Sequence, residues 1–179
     1  MRAIITSFYT HGTGYEAEAQ QLESSARAFG LLTDIRGVPN LGDWCHNCAI
    51  KPAFIRDRMN DYPHRPIVWL DADARVRQTP ELFDNLTCDF AAHWRHGVEL
   101  LSGTMYFAPT PAAKQLATAW AEAQMRRPGE WDQRVLQDVI ETVPDLVVER
   151  LPKEYTRVFD DSKMGVPIIE HMQASRRLA

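Results

Sequence analysis

The chain has 179 residues, 45% of them hydrophobic and 25% charged, with a formal net charge of −4. That balance fits a single globular domain over 1–179 with a real core, and it excludes whole-chain electrostatic attraction to nucleic acid or to an anionic membrane. No apolar run approaches the roughly 20 residues of a spanning helix, and the N-terminus lacks the basic and apolar regions of a signal peptide, so we expect a cytoplasmic protein with no membrane span.

Ala3 to Tyr9 is a β-branched and aromatic run that reads as a first strand, followed by the small-residue loop Thr10-His11-Gly12-Thr13-Gly14. Thr13 and Glu16 have the spacing of a capping box. Tyr15, Ala19, Leu22, Ala26 and Phe29 then mark one stripe of an amphipathic helix, closed by Gly30. Leu31 to Val38 suits a second strand, and Asn40 to Cys48 reads as a loop. Cys45 and Cys48 form one CxxC without a second pair, too little for a zinc site, and we read them as small thiols at a helix entry. Ile50, Phe54, Ile55, Met59 and Tyr62 mark the next helix, with Lys51-Pro52 at its start.

Pro66 to Leu70 is a short apolar strand ending in Asp71-Ala72-Asp73. In extended chain, residues i and i+2 point the same way, so both carboxylates can face one point in space. Such hard oxygen ligands favour Mg²⁺ or Mn²⁺, ions that commonly hold phosphates as well. Thr79 to Phe83 reads as a cap and a short helix. Strands are expected at Asp89–Trp94 and Glu99–Pro109, the second interrupted by Ser102-Gly103-Thr104, which suggests a bulge or a close backbone approach. Thr110-Pro111 opens a helix broken by Pro128-Gly129, and Trp131 to Ile140 forms another, with Asp132 in its first turn. Leu146–Leu151 and Pro167–His171 are the last expected strands. Strands alternating with helices argue for an α/β fold with a mostly parallel central sheet flanked by helices, and ligands in such folds sit at the carboxyl ends of strands.

Val68-Trp69-Leu70-Asp71-Ala72-Asp73 resembles the metal-binding DxD motif of GT-A-fold glycosyltransferases, which use nucleotide-diphosphate sugars. Lys51 to Ile55, Leu101 to Phe107, Asp132-Gln133 and a late His171 follow a similar order in small transferases of this type, and the likeness spans most of the chain. The resemblance implies a GT-A-like domain in which Asp71, Asp73 and His171 bind Mn²⁺ or Mg²⁺, an imidazole favouring Mn²⁺; taken alone, His171 reads equally as a structural histidine. It implies that Thr6, Tyr9 and Thr10 hold the nucleotide, that Lys51 and Arg75 neutralise phosphate, and that Ser102 and Gly103 let backbone approach the donor sugar. Asp132 and Gln133 would face that sugar, Asp132 as a base if the reaction inverts and either residue as a stabiliser of the sugar cation if it retains. Helix capping alone also accounts for an acid at Asp132. A UDP-sugar is the expected donor and a hydroxyl group the acceptor.

Two enzymatic rivals are weaker. A haloacid-dehalogenase-type phosphohydrolase places its Asp-x-Asp after the first strand with Thr or Val two residues on, where this chain has Arg75. A nucleotidyltransferase lacks its glycine-rich basic loop here. The remaining alternative is a degenerate GT-A domain that binds a nucleotide sugar or glycan without transferring it, with Trp44, Trp94 and Trp131 available to stack on sugars.

Overall fold

The computed structural model describes residues 3–160 and 166–178. In chain order the elements are β1 (Ile4–Thr10), α1 (Tyr15–Ala28), β2 (Leu32–Val38), α2 (Trp44–Cys48), α3 (Lys51–Asp61), β3 (Ile67–Leu70), β4 (Ala74–Val76), β5 (Phe90–Arg95), β6 (Glu99–Phe107), α4 (Pro111–Arg126), α5 (Asp132–Ile140), β7 (Val148–Arg150), β8 (Arg157–Val158), β9 (Ile169–His171) and α6 (Ser175–Leu178). Six strands form the main sheet in the order β2-β1-β3-β6-β5-β7, and β4-β9-β8 form a small second sheet. Only β6 runs against its neighbours, pairing antiparallel with β3 and β5, while β1–β2, β1–β3 and β5–β7 are parallel. The expected mostly parallel α/β sheet is present.

The unbroken apolar run of β3 is explained by burial on both faces. Ile67 and Trp69 enter one core with Phe54, Met59, Leu116 and Trp120 from α3 and α4, and Val68 and Leu70 enter the other with Leu22 and Ala26 from α1. Each such side chain contributes about 1.5–3 kcal/mol by leaving water, so β3 is pinned and its carboxyl end is fixed in space.

Three local expectations need correction. Thr13 and Glu16 do not close a capping box; the Thr13 hydroxyl instead accepts from the Tyr15 amide at 3.3 Å and donates to the Thr10 carbonyl at 2.8 Å. The segment expected to be loop contains the single-turn helix α2, capped by Asp43, whose side chain accepts from the His46 amide. Asp71-Ala72-Asp73 is not extended: the Ala74 amide donates to the Asp71 carbonyl at 2.8 Å, closing a tight turn. After that turn the chain leaves the main sheet as β4, which the sequence pattern did not reveal, and pairs antiparallel with β9 so that Ala74 lies opposite His171.

The interruption in β6 is a bulge. Ala92 pairs with Met105 and His93 with Leu101, so Ser102, Gly103 and Thr104 have no counterparts on β5. They turn to the other edge, where Thr104 pairs with Leu70 and the Gly103 carbonyl accepts from the Asp71 amide at 2.9 Å. Bulge and turn meet at one point.

Candidate active site

At that point Asp71, Asp73 and His171 converge, with one ligand atom from each lying within 4.8 Å of the others. His171 is 4% exposed; its Nδ1 lies 3.7 Å from Asp73 Oδ1, and its Nε2 is 2.8 Å from the Thr104 hydroxyl. Thr104 engages Nε2, so Nδ1 is the ring nitrogen that faces the aspartates, the way a buried partner commonly orients a metal-binding imidazole. Asp73 Oδ2 accepts from the Ala174 amide at 2.7 Å. Burial opposes the Asp73 charge, but the His171 ring, the Ala174 amide and Arg75 outweigh it and hold this carboxyl below its usual range. A Cβ on Gly103 would sit 3.0 Å from His171 Cε1 and 3.2 Å from Asp71 Oδ2, so glycine keeps open the space between two of the three side chains. Two carboxylate oxygens and one imidazole nitrogen this close together suit a divalent cation.

A second assembly adjoins the first. Lys51, 5% exposed, reaches from the first turn of α3 and places Nζ 3.1 Å from Asp71 Oδ1, 2.9 Å from Asp132 Oδ2 and 3.3 Å from the Ser102 hydroxyl. It also lies over the Trp69 ring at 5.4 Å, and the Trp69 indole donates to Asp71 Oδ1 at 2.9 Å. Burial pulls the Lys51 pKa down, yet Asp132 and Asp71 more than offset it and raise it above the ordinary lysine value. Asp132 is 0% exposed; its Oδ2 also accepts from Ser102 at 3.1 Å, while Oδ1 has no hydrogen-bond partner among the described residues. Gln133 accepts from the Ser102 amide at 3.2 Å and donates to Glu99 Oε1 at 3.2 Å.

Both assemblies open into one cleft of about 1,090 Å³, lined also by Tyr9, Thr10, Tyr15, Trp44 and Trp131. Burial, then Asp73, Cys48 and Asp71, push the Tyr15 phenol up to about 12, so it stays protonated and able to donate. Burial likewise raises the Cys48 thiol and disfavours its thiolate.

The sequence model of the nucleotide-diphospho-sugar transferase family matches residues 60–174, a stretch holding both aspartates, the β6 bulge, Asp132 and His171. The chain belongs to that family. No curated protein sequence matches it. Among solved structures it is similar to a glycosyltransferase involved in the glycosylation of the major capsid of PBCV-1, at a TM-score of 0.74 and 14% identity over 97% of this chain and 93% of that one. It is also similar to the apo-form glycosyltransferase GlyE of Streptococcus pneumoniae TIGR4, at 0.65 and 14% identity over 95% of this chain and 54% of that one. This chain thus spans about half of the GlyE structure. The likenesses establish the fold, which is GT-A-like.

Within this nucleotide-diphospho-sugar transferase, the expected site residues divide. Asp71, Asp73, His171, Lys51, Ser102, Gly103, Asp132, Gln133, Tyr9 and Thr10 all line the cleft. Thr6 does not: it is fully buried in mid-strand opposite Trp69, because β1 continues to Thr10 and only its last turns of chain reach the cleft. Arg75 does not either. It points from β4 toward α1, where it pairs with the Glu18 carboxylate and donates to Gln21 Oε1 at 3.1 Å. Lys51 reaches the site but in another capacity than expected, since its three N–H groups are directed at Asp71, Asp132 and Ser102 and not at open cleft. Thr104, Trp69 and Tyr15 were missed. Ser102 and Thr104 are polar at i and i+2 in an apolar strand, and that alternation was the available signal for Thr104.

Proposed function

We propose that the chain is a divalent-metal-dependent glycosyltransferase that moves a sugar from a UDP-sugar to an acceptor hydroxyl, with residues 1–179 acting as one nucleotide-sugar-binding unit. The observation that carries this reading is the Asp71–Asp73–His171 cluster at the carboxyl end of β3, inside the large cleft. These three residues would hold Mn²⁺ or Mg²⁺, Mn²⁺ suiting the histidine better. When bound, the cation supplies positive charge to the departing diphosphate.

The chain's own groups do the rest. Tyr9 offers its ring to the uracil and Thr10 its hydroxyl to the ribose. The Gly103 backbone, lacking a Cβ, admits the donor sugar beside the aspartates. Tyr15 donates from its protonated phenol to the donor's anionic part. Lys51 and Ser102 hold Asp132 through Oδ2, so that its carboxylate stabilises the positive charge developing at the anomeric carbon, with Gln133 fixing the adjoining backbone. The bond from that carbon to the diphosphate oxygen breaks, a bond to the acceptor oxygen forms, and the acceptor's proton passes to the departing diphosphate.

The test is a thermal-unfolding matrix of UDP, GDP, ADP and CDP, each with Mn²⁺, Mg²⁺ or EDTA. A ligand bound only by the folded chain adds about 2.7 kcal/mol at a hundredfold excess over Kd. We expect the largest rise with UDP and Mn²⁺ together and none with EDTA. A midpoint unmoved by every nucleotide–metal pair overturns the donor site, and a larger rise with another nucleotide overturns UDP.

A further inference from the structure

Trp44 is 45% exposed, and folding alone does not account for its position. The helix that carries it, α2, buries none of its residues. That helix is held by polar scaffolding: the Asp43 carboxylate accepts from the His46 amide at 3.1 Å, Asn47 Oδ1 accepts from the Leu41 amide at 2.8 Å, and Asn47 Nδ2 donates to Asn40 Oδ1 at 3.0 Å. These bonds fix a segment that adds nothing to either core. Their visible effect is to hold an indole over the cleft, where its ring centroid lies 5.9 Å from that of Trp131 with the planes tilted by 54°. At that separation nothing fits between the two rings, so a ligand meets them as one bent aromatic wall.

Trp131 directly precedes Asp132, which joins the wall to the Lys51 assembly. Beside it lie groups suited to hydroxyls. Glu99 accepts from Gln133 at 3.2 Å and from the Arg95 guanidinium at 2.5 Å, and Arg95, Glu99 and Gln133 all line the cleft. An aromatic face flanked by a carboxylate, a guanidinium and an amide matches a pyranose, which offers a C–H face for stacking and an edge of hydroxyls for hydrogen bonding.

We infer that Trp44 and Trp131 form the acceptor subsite and that the acceptor is a saccharide, stacked on the indole wall with its hydroxyls toward Glu99, Arg95 and Gln133. The name acceptor rests on the donor reading proposed above; saccharide binding itself does not. The experiment is saturation-transfer NMR with a panel of methyl and 4-nitrophenyl glycosides of the common hexoses, pentoses and their disaccharides. It compares wild type, Trp44→Ala, Trp44→Phe and Trp131→Ala, with circular dichroism confirming the fold of each. Titration of wild type with UDP and Mn²⁺ is run on the same preparation.

We expect at least one glycoside to bind wild type and Trp44→Phe saturably, and Trp44→Ala roughly tenfold more weakly or not at all. Trp131 is more enclosed, so if its alanine variant misfolds, the Trp44 pair carries the result. No saturable glycoside binding, binding equal in wild type and Trp44→Ala, or a tenfold loss of UDP affinity in Trp44→Ala would each overturn the subsite, the last by making the wall a nucleobase platform. Trp44-dependent glycoside binding in a protein that fails to bind UDP with Mn²⁺ would leave the saccharide subsite standing and overturn the donor site.

Discussion

Asp71 is shared by two assemblies of opposite character. Toward α3 and α5 it meets a fixed ammonium: Lys51 stands 3.1 Å from Asp71 and 2.9 Å from Asp132, with Ser102 taking its remaining direction. Toward β4 and β9 it meets Asp73 and His171, where two carboxylates and an imidazole face a gap that Gly103 keeps clear. The first assembly carries its own countercharge because Asp132 is wholly buried, and a buried charge must be paired to be tolerated. The second has no lysine or arginine among its three members and lies on the cleft. A fixed ammonium marks what the fold must hold permanently, and two carboxylates with an imidazole facing one point mark where an exchangeable cation is suited to enter.

Removing the fixed cation should produce the largest change. Lys51→Met leaves Asp132 buried without an ammonium, which typically costs about 3–5 kcal/mol when one partner of a buried pair is lost. Chemical denaturation should show that loss in the absence of any ligand. A loss under about 1 kcal/mol would mean that Asp132 is hydrated or protonated in the folded chain, and the contrast between the two assemblies would fail.

A smaller change should sharpen the other side. Thr104→Val removes the hydroxyl at His171 Nε2 while keeping the shape of the side chain. If that hydroxyl orients the ring, Mn²⁺ affinity should fall by about 10–100-fold, with stability changed much less than by Lys51→Met. Mn²⁺ titration by calorimetry, with unfolding measured alongside, separates the two effects. Unchanged affinity would return the Thr104–His171 bond to a purely structural role.

How much of this was legible in the chain depended on range. Two acids closing an apolar run were visible as the tip of a buried strand, because burial on both faces and exposure at the tip are both written locally in Ile67 to Asp73. The reason given for their convergence was wrong in detail, since a turn and not an extended pair brings them together. A tight turn between Asp71 and Ala74 has no proline or glycine to announce it. Arg75 was expected beside a phosphate and lies outside the cleft lining. The departure of β4 from the main sheet turns that guanidinium to Glu18 on α1, and nothing near Arg75 encodes the departure. The convergence of Asp73 with the amide of Ala174, across 101 residues, depends on the register of β4 against β9 and was not readable at all. Resemblance supplied His171; residue pattern did not. Lys51 lines the cleft, but its partners were not legible, because the carboxylates come from β3 and α5 and meet it only in three dimensions.

The central claim is that Asp71, Asp73 and His171 together hold the cation. Electron paramagnetic resonance of Mn²⁺ tests it most directly, by counting bound ion and by detecting nitrogen coupling from a coordinated imidazole. Wild type should bind one Mn²⁺ with a nitrogen modulation that vanishes in His171→Ala, while Asp71→Asn and Asp73→Asn bind none at comparable concentration and keep the native circular-dichroism spectrum. Bound Mn²⁺ without nitrogen coupling, or undiminished binding in either asparagine variant, would contradict the account.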